Sequence, residues 1–375
     1  MRGRRILLSL VAPVSALAFA VVVSSAVLLL INKSPIHALN AMVDYAKQTD
    51  SLIEIVNRAV PIYLAGLAVA IGFKMNLFNI GVEGQYRLAA LIAAAAGAAV
   101  SLPPPLHVLL IVLVAMVVGS MWAAIPGVLK VTRGVHEVIS TIMLNFISIG
   151  IGQYLLIHYF QHLDRVGDLI IKTKAIPKSG RFPSLNDFLE AFGVKANSSL
   201  YGFVLVALVV GILFYLLVWR TRFGYDLRAS GTNPDAARVS GIDPNAMIVR
   251  TMLISGAIAG LVGLADMLGA LNRYTLDFPV GYGFTGIAVA LVGRNNPVGI
   301  ALAALLFGFM DKSRQILFFN DIPKEVIVIM QGVIILSVVI AYEVVRRIIQ
   351  AQELRQTAEQ TKRVAAQEEL DEVPA

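Results

Sequence analysis

The fold class this sequence predicts is an all-α protein crossing the membrane many times, and three observations predict it. Hydrophobic residues fill 57% of the 375 positions and charged residues only 15%, well outside the range of a soluble domain of this length. Mean hydropathy is +0.76. The apolar positions also gather into runs of about 20 residues, each enough to cross a hydrocarbon core of about 30 Å.

In chain order the runs lie at 6–31, 52–73, 86–102, 106–129 and 138–160, and then at 200–219, 249–271, 281–293, 298–317 and 326–345. They make roughly ten spans, the eighth unusually short for the length a bilayer demands. Arg2, Arg4 and Arg5 precede the first run, and Ala18-Phe19-Ala20 within it fits a signal-peptidase site. The run continues to Ile31, too long for a signal core, so it is read as an uncleaved span.

Lys and Arg in short loops stay on the cytoplasmic side. Alternation from a cytoplasmic N-terminus places Lys130, Arg133, the loop with Arg220, Arg222, Arg228 and Arg238, and finally Arg346 and Arg347 on that side. The uncharged turn Pro103-Pro104-Pro105 and the segment 161–199 fall outside, the latter with no element assigned. A membrane domain of residues 1–349, with a cytoplasmic loop at 220–248, therefore precedes a polar cytoplasmic tail at 350–375. Both termini are expected in the cytoplasm.

The net charge of +7 is distributed between apolar runs and marks topology, with no basic patch for nucleic acid. The chain has no cysteine and only five histidines, none at zinc-site spacing, so disulfides, thiolate chemistry and a metal site are not expected. It also lacks the G-x-x-x-x-G-K-[ST] phosphate loop.

Two polar, glycine-rich stretches interrupt the apolar pattern. Residues 72–85, GFKMNLFNIGVEGQ, hold Asn76, Asn79, Glu83 and Gln85, and residues 279–299, PVGYGFTGIAVALVGRNNPVG, surround the shortest run. Polar groups at membrane depth must face protein or water. Interrupted segments at corresponding places in two halves point to a midplane pathway, and spans 2–5 and 7–10 would then form an inverted repeat. The alternative for the first stretch is a short turn with Glu83 at the start of the next helix. A third stretch, in the 220–248 loop, has Asn233-Pro234-Asp235 to start a short helix and Gly241 to end it.

Four stretches carry a family resemblance: GLAVAIGFKMNLFNIGVEGQ at 66–85, GVLKVTRGVHEVISTIMLNFI at 127–147, FGYDLRASGTNPDAARVSGID at 223–243 and GFTGIAVALVGRNNPVG at 283–299. Together they resemble the permease subunits of bacterial ATP-binding-cassette importers, in the ribose and branched-chain amino acid superfamily, and within it the nucleoside-uptake branch. The resemblance runs from the second span to the tenth. It implies that the 223–243 loop supplies a coupling helix to a separate ATPase subunit, with Arg228, Gly231, Asn233, Asp235, Arg238 and Gly241 as the coupling residues. ATP and Mg would belong to that partner, with no cofactor in this chain. A second, non-identical permease and an extracellular lipoprotein or periplasmic binding protein complete the implied assembly, in lipid at the bacterial plasma (inner) membrane.

For a nucleoside, aromatic stacking and hydrogen bonding select Asn76, Asn79, Glu83, Gln85, Asn145, Phe284 and Thr285 as path residues. A simple sugar such as ribose is the alternative solute. Asn145 could equally form an interhelical hydrogen bond, and Phe284 could be ordinary packing. An ion-coupled carrier would use an intramembrane carboxylate, for which Asp266 in the seventh span is the one candidate. A membrane enzyme would need clustered Asp or Glu, and none is expected in the spans.

Overall fold

The computed structural model describes residues 18–163 and 169–341, together with 344 and 347. Arg2, Arg4, Arg5, Arg346 and the tail at 350–375 lie outside the described residues. The chain divides into two compact units, residues 40–320 and residues 1–39 with 321–375. The second unit contains α1 (Ala18–Leu30), the start of α2 (Pro35–Ala46) and α15 (Glu325–Ala341).

The larger unit begins with α3 (Thr49–Phe73), which is buried along most of its length, and α4 (Val82–Ala99). Then come α5 (Pro104–Arg133) and α6 (Glu137–Leu155), the latter extended by a π turn at Leu156–Phe160. After a short α7 (Asn186–Ala191) come α8 (Phe203–Arg220), α9 (Arg222–Thr232) and α10 (Pro234–Val239). The chain continues with α11 (Pro244–Val262), α12 (Leu264–Asp266) and a π turn at Met267–Leu271. It closes with α13 (Tyr282–Val292) and α14 (Pro297–Phe319). Among the described residues there is no strand, only isolated bridges.

Five helices among the described residues are long and apolar enough to cross a membrane alone: α3, α5, Glu137–Phe160, α8 and Pro244–Leu271. A sixth is reached by counting Ala18–Leu30 and Pro35–Ala46 as one bent span. That is fewer than the roughly ten runs expected from length alone. Glu83 and Arg87 dilute α4, α13 has 11 residues, and Asp311, Lys312 and Arg314 fall within α14.

Packing is exchanged between the two halves. Helix α3 lies against α13 and α14, and α11 lies against α4 and α5. Small residues make the α5–α11 seam: a Cβ at Gly119 would sit 2.2 Å from the Gly256 carbonyl oxygen, and one at Gly260 would sit 2.1 Å from that of Ala115. Gly256 and Gly260 are four apart on one helical face and Ala115 and Gly119 match them on the other, so backbones touch where side chains would hold them apart.

The described parts of the 161–199 segment, residues 161–163 and 169–199, pair with their surroundings. His162 donates its N–H to the Lys172 carbonyl, Thr173 to that of Tyr274, Ile176 to that of Asn272, and Leu276 to that of Ile171. These contacts fix residues 272–276 at the head of the stretch leading into α13.

Gly256→Leu is expected to cost about 1–3 kcal/mol or more through overpacking. Gly150→Leu, at a position with nothing within 4 Å of the added Cβ, is expected to leave stability unchanged. Thermal unfolding of the detergent-purified protein, followed by loss of the monodisperse gel-filtration peak, separates the two.

Candidate functional site

The polar stretch 72–85 is a true break between helices. Asn76 adopts φ +55°, a conformation Asn tolerates better than most residues. The Met75 and Leu77 amides turn back onto the Gly72 carbonyl at 2.8 and 3.0 Å. Gly72 is required there, because its Cβ would meet the Leu77 carbonyl oxygen at 2.9 Å.

Beyond the break, four of the candidate side chains are buried and hydrogen-bonded, Asn79 and Gln85 to each other and Asn145 and Glu83 to nearby backbone amides. Asn79 Nδ2 donates to Gln85 Oε1 at 3.0 Å and to Ser255 Oγ at 2.8 Å, while Gln85 Nε2 donates to Asn79 Oδ1 at 2.9 Å. Asn145 Oδ1 accepts from the Gly84 amide at 2.9 Å, and Asn145 Nδ2 donates to the Ile80 carbonyl at 3.0 Å. Glu83 Oε1 accepts from the Tyr86 hydroxyl at 2.9 Å and the Gly281 amide at 2.8 Å, and Oε2 accepts from the Gly283 amide at 2.9 Å. The carboxylate thus meets the free amides at the start of α13, where negative charge is favoured. Gly283 permits the approach: its Cβ would lie 2.5 Å from the Glu83 nitrogen.

Of the other candidates, Asn76 is exposed and its Nδ2 donates to the Gly231 carbonyl at 2.6 Å. Thr285 is half-buried on α13, and Phe284 is exposed on the same helix. Asn145 makes the interhelical bond that was its alternative role.

A polar cavity of about 580 Å³ is lined by Glu54, Asn57, Arg58, Ser198, Ser199, Tyr201, Asp266, Gly269, Ala270, Pro279 and Tyr282. None of the seven candidate path residues lines it. Its floor adjoins the Glu83 network, since the Tyr86 hydroxyl that bonds Glu83 also bonds the Pro279 carbonyl at 2.8 Å. Asp50, Glu54, Asn57 and Arg58 share one face of α3, at helical spacings of four, seven and eight. Asp50 accepts from the Asn197 and Ser198 amides at 2.7 and 2.9 Å. Asn57 donates to the Ser199 carbonyl at 2.8 Å and accepts from the Tyr201 amide at 3.0 Å. Arg58 pairs with Asp311, Lys312 pairs with Glu54, and Asp266 Oδ2 accepts from the Tyr282 hydroxyl at 2.7 Å.

Sequence singles out Asp266 alone, and the structure groups it with Glu54 and Arg58 on the lining of the cavity. The signal was present in the Asp50/Glu54/Arg58 spacing and in Asp311-Lys312 within the ninth run. Near the ends of apolar runs such charges resemble interfacial anchors, so only the tertiary pairing reveals the cluster. Among the described residues no group of His, Cys, Asp or Glu could hold a metal ion.

The 220–248 loop forms α10 where its caps place it, preceded by α9, which no cap signal read from the sequence marks. Asn233 Oδ1 accepts from the Asp235 and Ala236 amides at 3.0 and 3.1 Å, and Gly241, at φ +81°, ends α10 with the Ile242 amide bonding the Ala237 carbonyl. The six coupling candidates divide into two sets. Arg228 turns inward to the Val218 carbonyl at the end of α8, and Gly231 is buried, its Cβ position 2.4 Å from the Lys74 carbonyl oxygen. Asn233, Asp235, Arg238 and Gly241 are exposed, with Arg238 bonded only to Asp235, at 3.0 Å. Next to the buried pair, burial and then the charge of Arg228 lower the pKa of Lys74, whose ammonium lies 4.9 Å above the Trp219 ring. Glu137, at the start of α6, bonds Lys130 at 2.5 Å and accepts from the Phe78 amide at 3.3 Å, tying the break to that helix.

The geometry is that of a helical membrane protein with two breaks joined at its centre and a capped, exposed helix on a polar loop. Comparison with known proteins decides the class: residues 51–339 match the family model described as branched-chain amino acid transport system / permease component. The chain belongs to that family. A glucose permease of an ATP-binding-cassette transporter from Haloferax volcanii is 32% identical over 87% of this chain and 86% of its own length. A guanosine permease from Bacillus subtilis is 35% identical over 78% of this chain and 81% of its own. A nucleoside permease from Lactococcus lactis subsp. cremoris is 28% identical over 88% and 90%. This permease is therefore a multi-pass membrane protein and a transport component.

Glu83→Gln replaces one acceptor oxygen with an NH₂ group facing hydrogen-bond donors, and leaving such a buried group unsatisfied costs about 1–3 kcal/mol. Asp266→Asn keeps an oxygen for the Tyr282 hydroxyl and is expected to cost far less. The thermal unfolding midpoints of the two variants should therefore separate, with Glu83→Gln clearly the lower.

Proposed function

We propose that this permease carries nucleosides across the bacterial plasma membrane, inward, as a subunit of an importer whose ATP hydrolysis occurs in a separate chain. The observation that carries the coupling half is α10: a helix capped at both ends, with Val239 91% exposed, on a loop whose buried side rests on the break at Lys74–Asn76. An exposed apolar side chain flanked by Asp235 and Arg238 is a docking feature for a complementary groove. Asn233, Asp235, Arg238 and Gly241 shape that helix and present it to the ATPase, which would hold ATP and Mg. Arg228 and Gly231 transmit its displacement inward.

The solute half rests on the guanosine and nucleoside permeases among the relatives. A simple sugar is the second reading, favoured by the Haloferax glucose permease. In either case the path runs beside the two breaks. Asn79, Glu83, Gln85 and Asn145 form its hinge, Asn76 joins it to the loop, and Phe284 and Thr285 belong to the helix that moves. The outer cavity leads into it. The exchanged packing of α3 and α11 fits the inverted repeat of spans 2–5 and 7–10. The apolar faces of α5, α6 and α8 meet lipid, a second, non-identical permease completes the channel, and an extracellular binding protein delivers the solute. Both termini then lie in the cytoplasm. An ion-coupled carrier built on Asp266 would have no need of α10.

Arg238→Glu removes only a solvent-exposed ion pair, which contributes little to stability. The account expects unchanged membrane levels with ATP-driven uptake of labelled guanosine reduced at least tenfold, while the ATPase subunit still hydrolyses ATP. Uptake at the parent rate in membrane vesicles would rule out α10 as the coupling element.

A further inference from the structure

We infer that the end of α8 nearest the 220–248 loop binds anionic phospholipid, its headgroup phosphate meeting Lys74 or Arg220 and its acyl chains lying along the exposed face of α8. The inference goes beyond the permease reading and is testable on this chain alone.

Four side chains meet at that end. The Lys74 ammonium lies 4.9 Å from the centre of the Trp219 ring, Trp219 stacks on Tyr215 with centroids 5.5 Å apart, and the Arg220 guanidinium lies 5.9 Å from the Tyr215 ring. The contacts run cation, ring, ring, cation. Ring faces hold the cations in place but do not neutralise them, and among the described residues neither Lys74 nor Arg220 makes an ion pair. Burial and the charge of Arg228 both weigh against the Lys74 ammonium, and no carboxylate offsets them. Two cations placed in this way call for an anion from outside the chain.

The helix that carries them says which anion. Leu205, Leu208, Val209, Ile212, Leu213 and Leu216 are exposed on α8, and Trp219 and Arg220 continue that face by steps of three and four. Membrane helices that pack on another protein do so through small residues. Here the small residues turn inward, Ala207 into the core and Gly211 against Tyr63, and only bulky apolar groups point out. A face of that kind suits acyl chains, and a phosphate at the level of Trp219 and Arg220 is where a headgroup lies, beside the rings that favour the membrane interface. Lys and Arg supply several donors each to phosphate oxygens. The site also abuts the joint between the first break and α9, since an added Cβ at Gly231 would come within 2.4 Å of the Lys74 carbonyl oxygen and Asn76 donates to the Gly231 carbonyl at 2.6 Å.

The chain has two tryptophans, so Trp122→Phe leaves Trp219 as a single fluorescent reporter within the cluster. The full chain with that change is reconstituted in phosphatidylcholine containing rising fractions of phosphatidylglycerol, with one lipid or the other brominated on its chains, and quenching of Trp219 is measured. A Lys or Arg at an anionic surface contributes about fivefold to binding, so phosphatidylglycerol is expected to be preferred beside Trp219 by about fivefold or more. Lys74→Gln with Arg220→Gln should bring the preference to within about twofold of unity, and either change alone should lower it part-way, which keeps the test open if the double variant does not stay monodisperse. Arg222→Gln, an exposed charge outside the cluster, should leave the preference unchanged, and so should millimolar inorganic phosphate. Equal quenching by the two lipids, or a preference that survives loss of Lys74 and Arg220, would overturn the inference. A preference lost equally on Arg222→Gln would mean diffuse charge, one abolished by phosphate would mean a site for the free anion, and weak quenching by both lipids would mean that α8 does not face lipid; each of these also overturns it.

Discussion

One buried carboxylate holds the centre of this protein together. Glu83 accepts from the amides of Gly281 and Gly283 and from the Tyr86 hydroxyl, and so joins the start of α4 to the start of α13. Two helix starts that meet inside an apolar body leave unpaired N–H groups with no water to satisfy them. Placing a carboxylate between them satisfies α13 and fixes the approach of the two breaks. The glycines follow from that constraint, since Gly283 must let its backbone reach the Glu83 backbone and Gly286 must lie against Ala65, where an added Cβ would come within 2.6 Å of the Ala65 Cβ.

On either side of this junction lie the loop that we propose meets the ATPase and the polar cavity. Toward the loop, Asn76 and Gly231 fasten α9 to the break, and Glu137 with Lys130 fastens the break to α6. Toward the cavity, Tyr86 holds Pro279, and Tyr282 holds Asp266. The contacts are short, polar and contiguous, the kind of network through which displacement of the loop can change the cavity without melting the helices between them. Contiguity alone is not coupling, which is why the junction itself is the decisive point.

Much of this was legible in the sequence and part was not. The membrane class follows from apolar content, and the bounds of α10 follow from Asn233-Pro234-Asp235 and Gly241, because caps are local chemistry. The break at 72–85 was visible as polar residues among glycines. What it bonds to was not: Glu83 reaches amides 198 and 200 residues away, and no local pattern encodes such a distance. The charged cluster at the cavity went unnoticed for the same reason, since Arg58 and Lys312 find their partners across 253 and 258 residues. Fewer helices pass as spans by length and apolarity than the roughly ten runs read from the sequence, because α4 carries Glu83 and Arg87, α13 is short, and α14 carries Asp311, Lys312 and Arg314.

The central claim is that the Glu83 junction transmits movement of the loop to the cavity. Spin labels at Ser199→Cys and Ala270→Cys, on opposite walls of the cavity, report its width by pulsed electron resonance in the assembled transporter. The account predicts a change in that distance when ATP and vanadate trap the closed ATPase, and little or no change in the Glu83→Ala background at equal ATPase occupancy. A full change in width without Glu83 would contradict it.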